Sequence, residues 1–290
     1  MTFDDTIKEI LVKKLVDLEV KFEADVIFYY GDIEVEALRR FRDLIEYLKA
    51  ETDQQPRNRL VIILNTSGGS AEIVENMVDI IRHHYNEIFF VVPDFAMSAG
   101  TIFCMSGDKI YMDYSSSLGP IDPQVWNGKD WVPALGYLDK VGELLAKAQA
   151  GTITDAEFLI LQAQDLALLS RYEQAKELTI TLLKRWLVQY KFKDWDVHET
   201  NTALIGSAVT LEQKQLRAKE IADDLGNNKK WHSHARMLNI NTLRGIRLKI
   251  EDLGSDKTLQ DLIRTYNDLI TEFISKNRYE FVLHSRRYFS

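Results

Sequence analysis

The sequence predicts an α/β protein with a mostly parallel sheet, and two observations support this prediction. The first 130 residues alternate short apolar runs with longer segments of helical spacing. Glycine or proline marks the turns that follow the apolar runs. The chain has 290 residues, of which 46% are apolar and 28% charged. A chain of this length and composition can bury a substantial core, as a soluble globular protein does.

The predicted strands are short and rich in β-branched or aromatic residues. They cover residues 25–30, 59–64, 87–92 and 109–112. Apolar residues recur at helical spacing over 35–48 and 73–81, which predicts two helices between strands. Strands separated by helices favour right-handed βαβ units. Pro93, Pro120 and Pro123 follow predicted strands, at the edge where open α/β sheets bind ligands.

The second half of the chain is predicted to be mainly helical. A capping box at 154–157 begins a helical pattern that continues through Trp186. A second capping box at 210–213 begins a helix that Gly226 closes. A further helix is predicted over 259–273.

Charge and composition exclude several classes of protein. The net charge of −8 argues against a nucleic-acid binder, which normally has a basic face. No apolar run is long enough to cross a bilayer, and the acidic N-terminus does not have the pattern of a signal peptide. Cys104 is the only cysteine, which excludes an internal disulfide and Cys-based zinc motifs. We therefore expect a cytoplasmic protein with no membrane anchor, no metal and no cofactor.

Ser98 is the first candidate for chemistry. It follows a predicted strand and a turn, is flanked by small residues, and begins a predicted helix that runs to about Met105. Small neighbours let a substrate carbonyl approach the hydroxyl, and a helix N-terminus stabilises developing negative charge. A serine so placed is a nucleophile if a base removes its proton. The alternative is that Ser98 only caps the helix.

Two further loops also follow predicted strands. The adjacent Gly68 and Gly69 let the backbone turn its amides toward an oxyanion or a phosphate, although no phosphate-binding motif is present. The alternative is a tight strand-to-helix turn. Asp122 lies between Ile121 and Pro123, where a stiff backbone directs its carboxylate. It could orient a histidine or cap a turn.

Of the six histidines, His232 and His234 lie in a loop that follows a predicted helix. Such a His-x-His pair can bind a metal, but the sequence shows no further cluster of ligands.

Three motifs together resemble the serine dehydrogenase proteinase family, distant relatives of the Clp protease proteolytic subunit and of signal peptide peptidase A. They are Leu-Asn-Thr-Ser-Gly-Gly at 64–69, Ala-Met-Ser-Ala-Gly-Thr at 96–101 and Ser-Ser-Leu-Gly-Pro-Ile-Asp-Pro-Gln at 116–124. The likeness covers roughly residues 25–250. Residues 231–250 resemble the family's carboxyl-terminal motif, although Ala235 replaces a glycine and no proline follows Arg236.

The resemblance implies a ClpP/crotonase-like fold of repeated ββα units, with a C-terminal helical extension. A serine protease domain would cover residues 1–254, and a helical C-terminal tail would follow at 255–290. Within the domain we expect a core at 20–130, a helical insertion at about 139–225, and a closing histidine motif and strand at 226–254.

The resemblance also implies a serine hydrolase site. Ser98 is the nucleophile, and the amides of Ala99 and of Gly69 or Gly68 form the oxyanion hole. The family uses Ser, Asp and His in that chain order, so Asp122 orients a base that is His234 or His232.

Signal peptide peptidases, which share this fold, use a lysine base instead. Lys176 or Lys184 would take that role if the present chain did the same.

The predicted function is a serine peptidase that hydrolyses peptides or proteins through an acyl-enzyme on Ser98. One alternative is a non-catalytic assembly protein that has lost its base. Another is an α/β-hydrolase-type esterase, because residues 96–100 differ by one residue from the G-x-S-x-G elbow. Acyl-CoA chemistry ranks last. Relatives form rings, so we expect a homo-oligomer, ring or dimer-based, in which 139–190 packs between subunits; the sequence does not indicate an ATPase partner.

Overall fold

The computed structural model describes residues 2–50, 57–126, 131–199 and 202–289. The strands are β1 (Asp25–Tyr30), β2 (Arg59–Asn65), β3 (Glu87–Val92), β4 (Phe95–Ala96), β5 (Lys109–Met112), β6 (Ser117–Leu118), β7 (Gln124–Trp126), β8 (Trp131–Pro133), β9 (Glu251–Asp252) and β10 (Val282–His284). The helices are α1 (Phe3–Phe22), α2 (Val35–Ala50), α3 (Ala71–His84), α4 (Ala99–Cys104), α5 (Ala134–Gln149), α6 (Asp155–Gln162), α7 (Leu166–Trp186), α8 (Leu211–Leu225), α9 (Asn228–Trp231), α10 (Ile240–Gly245) and α11 (Lys257–Asn277). A π-helical turn, Leu187–Lys191, continues α7.

A mainly parallel sheet forms the centre of the molecule, in the order β10-β1-β2-β3-β5-β9. Neighbours from β1 to β9 are parallel, and β10 pairs antiparallel with β1. The four predicted strands are confirmed, and β2 extends one residue further, to Asn65. Their continuous apolar runs are explained by burial on both faces, which is typical of parallel sheets.

Helices cover both faces of the sheet. Alternate strand residues such as Ile62 and Phe90 pack into a cluster with α2, α3, α4, α8 and the end of α7. The intervening residues, such as Val61 and Val91, pack into a second cluster with α1 and α11. The fold is therefore a three-layer α/β/α arrangement.

The N-terminal and C-terminal helices lie together on one face. Helix α1 was not predicted, yet Leu11, Leu15, Leu18 and Phe22 are buried at helical spacing. Helix α11 agrees with the predicted third helix. The segment after residue 255 is not helical throughout, because β10 joins the central sheet beside β1.

The helical pattern predicted from residue 154 to Trp186 is interrupted. The capping box at Thr154 begins α6, but α6 ends at Gln162. Asp165 then accepts hydrogen bonds from the amides of Ala167 and Leu168 and begins α7 as a new N-cap. The second predicted capping box, at Thr210, begins α8, and Gly226 is its C-cap as predicted.

Short extended segments pair with one another beyond the carboxyl ends of the central strands. They form parallel bridges between Ile33 and Gly69 and between Thr66 and Ala96, a parallel pair of β4 and β6, and an antiparallel bridge between Leu118 and Leu238. These pairings place the three loops that follow β2, β3 and β5 side by side, next to the loop that follows α9.

A buried charge cluster lies at the opposite end of β1. Glu19 and Asp25 are almost completely buried. Arg286 Nη1 lies 2.7 Å from Glu19 Oε1 and 2.8 Å from Asp25 Oδ1, and Arg57 lies 3.0 Å from the other Glu19 oxygen. Tyr85 donates a hydrogen bond to Asp25. This cluster connects the C-terminal segment to α1 and β1.

We expect the substitution Arg286→Met to destabilise the protein by about 3 kcal/mol, because two buried carboxylates lose a cation. Urea unfolding followed by circular dichroism measures this change. Arg39→Met is the matched control, since the Arg39–Asp43 pair is exposed and should contribute little. Equal losses in the two variants would contradict a structural role for Arg286.

Within the described ranges, no helix is long and apolar enough to span a membrane.

Candidate active site

Ser98 adopts a strained backbone conformation at the start of α4. Its φ of 51° and ψ of −115° lie in a region that non-glycine residues rarely occupy. Such a conformation costs about 1–3 kcal/mol and persists only where the surroundings enforce it. Ser98 occupies the N-cap position, but its side chain makes no cap hydrogen bond. The interpretation of Ser98 as a simple helix cap is therefore wrong.

Thr101 fixes α4 against the loop that leads to Asp122. Its buried hydroxyl lies 2.8 Å from the Ala96 carbonyl oxygen and 2.9 Å from that of Gly119, and it accepts a hydrogen bond from the Gly119 amide at 2.9 Å. Thr101 was not predicted as a site residue, although it lies within the Ser-Ala-Gly-Thr motif. Its role in holding α4 against this loop is visible only from its contact with Gly119, which lies further along the chain.

The two glycines of the first loop differ in the direction of their amides. The Gly68 amide donates to the Thr66 hydroxyl at 3.1 Å, so its proton is already engaged. The Gly68 carbonyl accepts from the Ile33 amide at 2.7 Å. In a trans peptide the carbonyl of one residue and the N–H of the following residue point in opposite directions. The Gly69 N–H therefore points away from Ile33, which makes Gly69 the better candidate of the two for an oxyanion donor.

The Ala99 amide is directed by the same peptide geometry. The Ser98 carbonyl accepts a hydrogen bond from the Ile102 amide at 3.1 Å, so it points along α4. The Ala99 N–H consequently points out of the helix start, where the first amides have no partner within the helix.

Asp122 and His234 form a hydrogen-bonded pair. His234 Nδ1 lies 2.9 Å from Asp122 Oδ1, across 112 residues of sequence. Asp122 is 1% exposed, and Gln124 donates to its other carboxylate oxygen at 2.9 Å. The structure thus brings His234 to Asp122, whereas His232 is exposed at the left-handed C-cap of α9. Gln124 was not predicted, although it is the glutamine of the Asp-Pro-Gln motif.

The candidate lysines have a different environment. Lys176 is exposed and Lys184 half-buried, on α7. Burial lowers the pKa of Lys191, which was not a candidate, to about 8, and nearby Glu251 partly opposes this shift. Asp108 and Cys104 are also near Lys191. Asp108 precedes β5, so Lys191 lies toward the amino ends of the strands, whereas Ser98 follows the carboxyl end of β3.

The part of the chain that the structure describes contains no group of three or more His, Cys, Asp or Glu side chains that could hold a metal ion. The chemistry available at this site comes from a strained serine, two outward amides and an Asp–His pair. These are the components from which serine hydrolases build an acyl-transfer site.

The family model for ClpP-like SDH-type serine proteinases matches residues 40–205, more than half of the sequence. The chain belongs to this family. The matched range includes Ser98, both glycines and Asp122, and it ends before His234.

Two relatives from Methanocaldococcus jannaschii are uncharacterised proteins. One is 30% identical over 156 residues, which cover 51% of this chain and 53% of the relative. The other is 33% identical over 64 residues, 22% of each chain. The chain thus spans about half the length of the first relative. A solved structure of a serine-to-alanine mutant of the 1510-N membrane-bound stomatin-specific protease is 23% identical, with a TM-score of 0.31, covering 43% of this chain and 60% of that one.

We expect Gly68→Ala to impair the site because the backbone there has a φ of +123° and a Cβ would lie 2.9 Å from Ser98 Cβ. The conformational strain should cost about 1–3 kcal/mol and displace Ser98. Thermal unfolding and the rate at which a fluorophosphonate labels the protein measure the two effects.

The control for this variant is Gly136→Ala, where an added Cβ meets nothing within 4 Å. It lies in α5 and should stabilise the helix by up to about 1 kcal/mol without changing labelling. Unchanged labelling of Gly68→Ala would show that close contact at residue 68 does not shape the serine.

Proposed function

We propose that the protein is a serine peptidase that hydrolyses peptide bonds through an acyl-enzyme on Ser98. The observation that carries this proposal is the hydrogen bond between His234 and buried Asp122. His234 follows Ser98 and Asp122 along the chain, which is the order that the resemblance implies. It lies beyond the range that the family model matches.

The proposed mechanism follows from the hydrogen bonds of the imidazole. Nδ1–H of His234 donates to Asp122, which leaves Nε2 as the acceptor for the Ser98 proton. The serine oxygen attacks the peptide carbonyl, and the amides of Gly69 and Ala99 bind the resulting oxyanion. His234 returns the proton to the leaving amine, and water then hydrolyses the acyl-enzyme by the same steps.

The non-catalytic alternative is supported by one observation. Among the described residues, no hydrogen bond joins the Ser98 hydroxyl to His234. We favour the peptidase because catalytic hydrogen bonds in unliganded enzymes often tighten only when substrate binds. A lysine base is less favoured, because Lys176 is exposed and Lys184 only half-buried on α7, whereas lysine bases are typically buried.

The wider organisation is part of the same proposal. The pairing of extended segments beyond β1, β2, β3 and β5 supports a ClpP/crotonase-like fold of ββα units within a protease domain at 1–254, with 255–290 as a C-terminal extension. Family membership favours a peptidase that acts on peptides or proteins over an esterase of the α/β-hydrolase type.

The helical insertion exposes apolar side chains that a second copy of the chain could cover. Phe158, Leu159, Ile160 and Leu166 are each more than half exposed. We infer a cytoplasmic homo-oligomer, ring or dimer-based, in which this surface lies between subunits.

We expect a fluorophosphonate probe to add one adduct to the wild type, visible by intact mass, because the reagent reacts with an activated serine. Ser98→Ala should lose the adduct completely. Ser207→Ala, which changes an exposed serine outside the site, is the control and should label as the wild type does. A folded wild type that stays unlabelled would overturn the peptidase proposal and favour the assembly protein.

The choice of base is tested with paired histidine variants. His234→Ala should slow labelling and peptide hydrolysis by about 10³-fold or more, because the serine loses its proton acceptor. Asp122→Asn should slow hydrolysis by about 10³–10⁴-fold, because the imidazole is then held in the wrong tautomer. His232→Ala is the internal control and should retain activity. Loss of activity in His232→Ala alone would reverse the assignment.

A further inference from the structure

Helix α11 places polar side chains against the carboxyl ends of three neighbouring strands. Gln260, Arg264 and Asn267 lie at i, i+4 and i+7, on one face of the helix. Their partners are Asn65 at the end of β2, Asp94 after β3 and Asp113 after β5. Each of these strands leads into one loop of the candidate site.

Asn267 joins two of these strand ends directly. Its Nδ2 donates to Asp94 Oδ2 at 2.8 Å, and its Oδ1 accepts from Asn65 Nδ2 at 2.9 Å. A carboxylate can only accept, so Asp94 fixes which way the Asn267 amide faces. Asn65 is 2% exposed and Asn267 is 4% exposed, so water does not easily replace these bonds.

The Asn65 side chain depends on this contact. Among the described residues, its Oδ1 has no hydrogen-bond partner, and its Nδ2 donates to Asn267. Loss of Asn267 would therefore leave a buried amide without a partner, which is costly. The Asn65 backbone is bonded at the same point, because its carbonyl accepts from the Gly31 amide at 3.2 Å.

Asn65 and Asp94 hold the beginnings of two loops, which we name the oxyanion loop (66–70) and the nucleophile loop (95–98). Asn65 immediately precedes the oxyanion loop, and Asp94 immediately precedes the nucleophile loop. The Asp94 carbonyl also accepts from the Ser117 amide at 2.9 Å, which connects the nucleophile loop to the segment before Asp122.

The third contact of α11 holds the segment that leads to Asp122. Gln260 donates to Asp113 Oδ1 at 2.9 Å, and Arg264 Nε donates to Oδ2 at 2.6 Å. Asp113 is 3% exposed and directly follows β5. One helix face therefore reaches all three loops that supply Gly69, Ser98 and Asp122.

We propose that Asn267 is a positioning residue for the candidate site, and that it sets the distance between the oxyanion loop and the nucleophile loop. The inference rests on the proposed function, because it concerns how Ser98 and the Gly69 amide are aligned. Helix α11 lies outside the range that the family model matches, so the matched segment does not itself supply this contact. Small errors in alignment reduce rates strongly, because the reacting atoms must meet in a narrow range of geometry.

The test compares Asn267→Leu and Asn267→Asp with Tyr266→Phe. The first variant removes both hydrogen bonds and keeps the branching of the side chain, and the second places a carboxylate against Asp94. Tyr266→Phe is the matched control, since it removes a buried hydrogen bond of 2.7 Å on the same helix, to His284 on β10 and not to a site loop.

Well below the melting temperature of each variant, both Asn267 variants should label with fluorophosphonate about tenfold more slowly than the wild type, or slower. Their kcat for a cleaved peptide should fall while KM changes little. Tyr266→Phe should lose thermal stability but label at the wild-type rate. Wild-type labelling in both Asn267 variants would overturn the inference, as would equal slowing in the control.

A second readout does not depend on catalysis. Hydrogen–deuterium exchange followed by mass spectrometry should show faster exchange at 66–70 and 95–98 in the Asn267 variants, and unchanged exchange there in Tyr266→Phe. If the wild type does not label at all, the proposed function fails, and exchange still decides the inference. Unchanged exchange in both loops of the Asn267 variants would overturn it.

Discussion

The sideways pairing of short extended segments is the constraint on which the candidate site depends. Bridges from Ile33 to Gly69, from Thr66 to Ala96 and from Leu118 to Leu238 hold the loops side by side. Thr101 strengthens the pairing where α4 meets the loop before Asp122. Because the peptide planes in these bridges are fixed, their unused N–H groups are also fixed in direction. The direction of the Gly69 N–H therefore results from the same hydrogen bond, from the Ile33 amide to the Gly68 carbonyl, that holds two of these segments together.

The strain at Ser98 is maintained by this pairing. A backbone conformation that costs about 1–3 kcal/mol would relax in an isolated loop. Here the Met97 amide donates to the Thr66 carbonyl at 3.0 Å on one side, and the Ser98 carbonyl accepts from Ile102 on the other. The serine is thus fixed by backbone contacts, and its hydroxyl is not needed as a cap. The Ser98 hydroxyl is therefore available to react with a substrate.

The sequence predicted those features that local pattern determines. The four central strands are continuous apolar runs, and β2 differed from the prediction by one residue. The capping boxes at Thr154 and Thr210 were likewise local and are present. The break before α7 was not predicted, because the apolar spacing continues across it while Asp165 starts a new helix.

Site features that depend on distant contacts could not be obtained in this way. The sequence left His232 and His234 as alternatives, since the contact that distinguishes them joins residues 112 positions apart. The engagement of the Gly68 amide by Thr66 is short in sequence, but it depends on a rotamer that no pattern specifies. Asn267 has no motif at all. Only its hydrogen bonds to Asn65 and Asp94, at two strand ends that α11 crosses, distinguish it from other polar residues of the helix.

The components of the candidate site come from two parts of the chain with different relations to the family. Ser98, Gly69 and Asp122 lie within the matched range, whereas His234 and α11 lie beyond it. The bridge between Leu118 and Leu238 brings His234 to Asp122. Asn267 contacts the loops from the face of the sheet that α1 and α11 cover. In the proposed mechanism the nucleophile therefore comes from the first half of the fold, while its base and its alignment come from the second half. The proposal thus requires that the C-terminal segments pack onto the sheet before Ser98 can react.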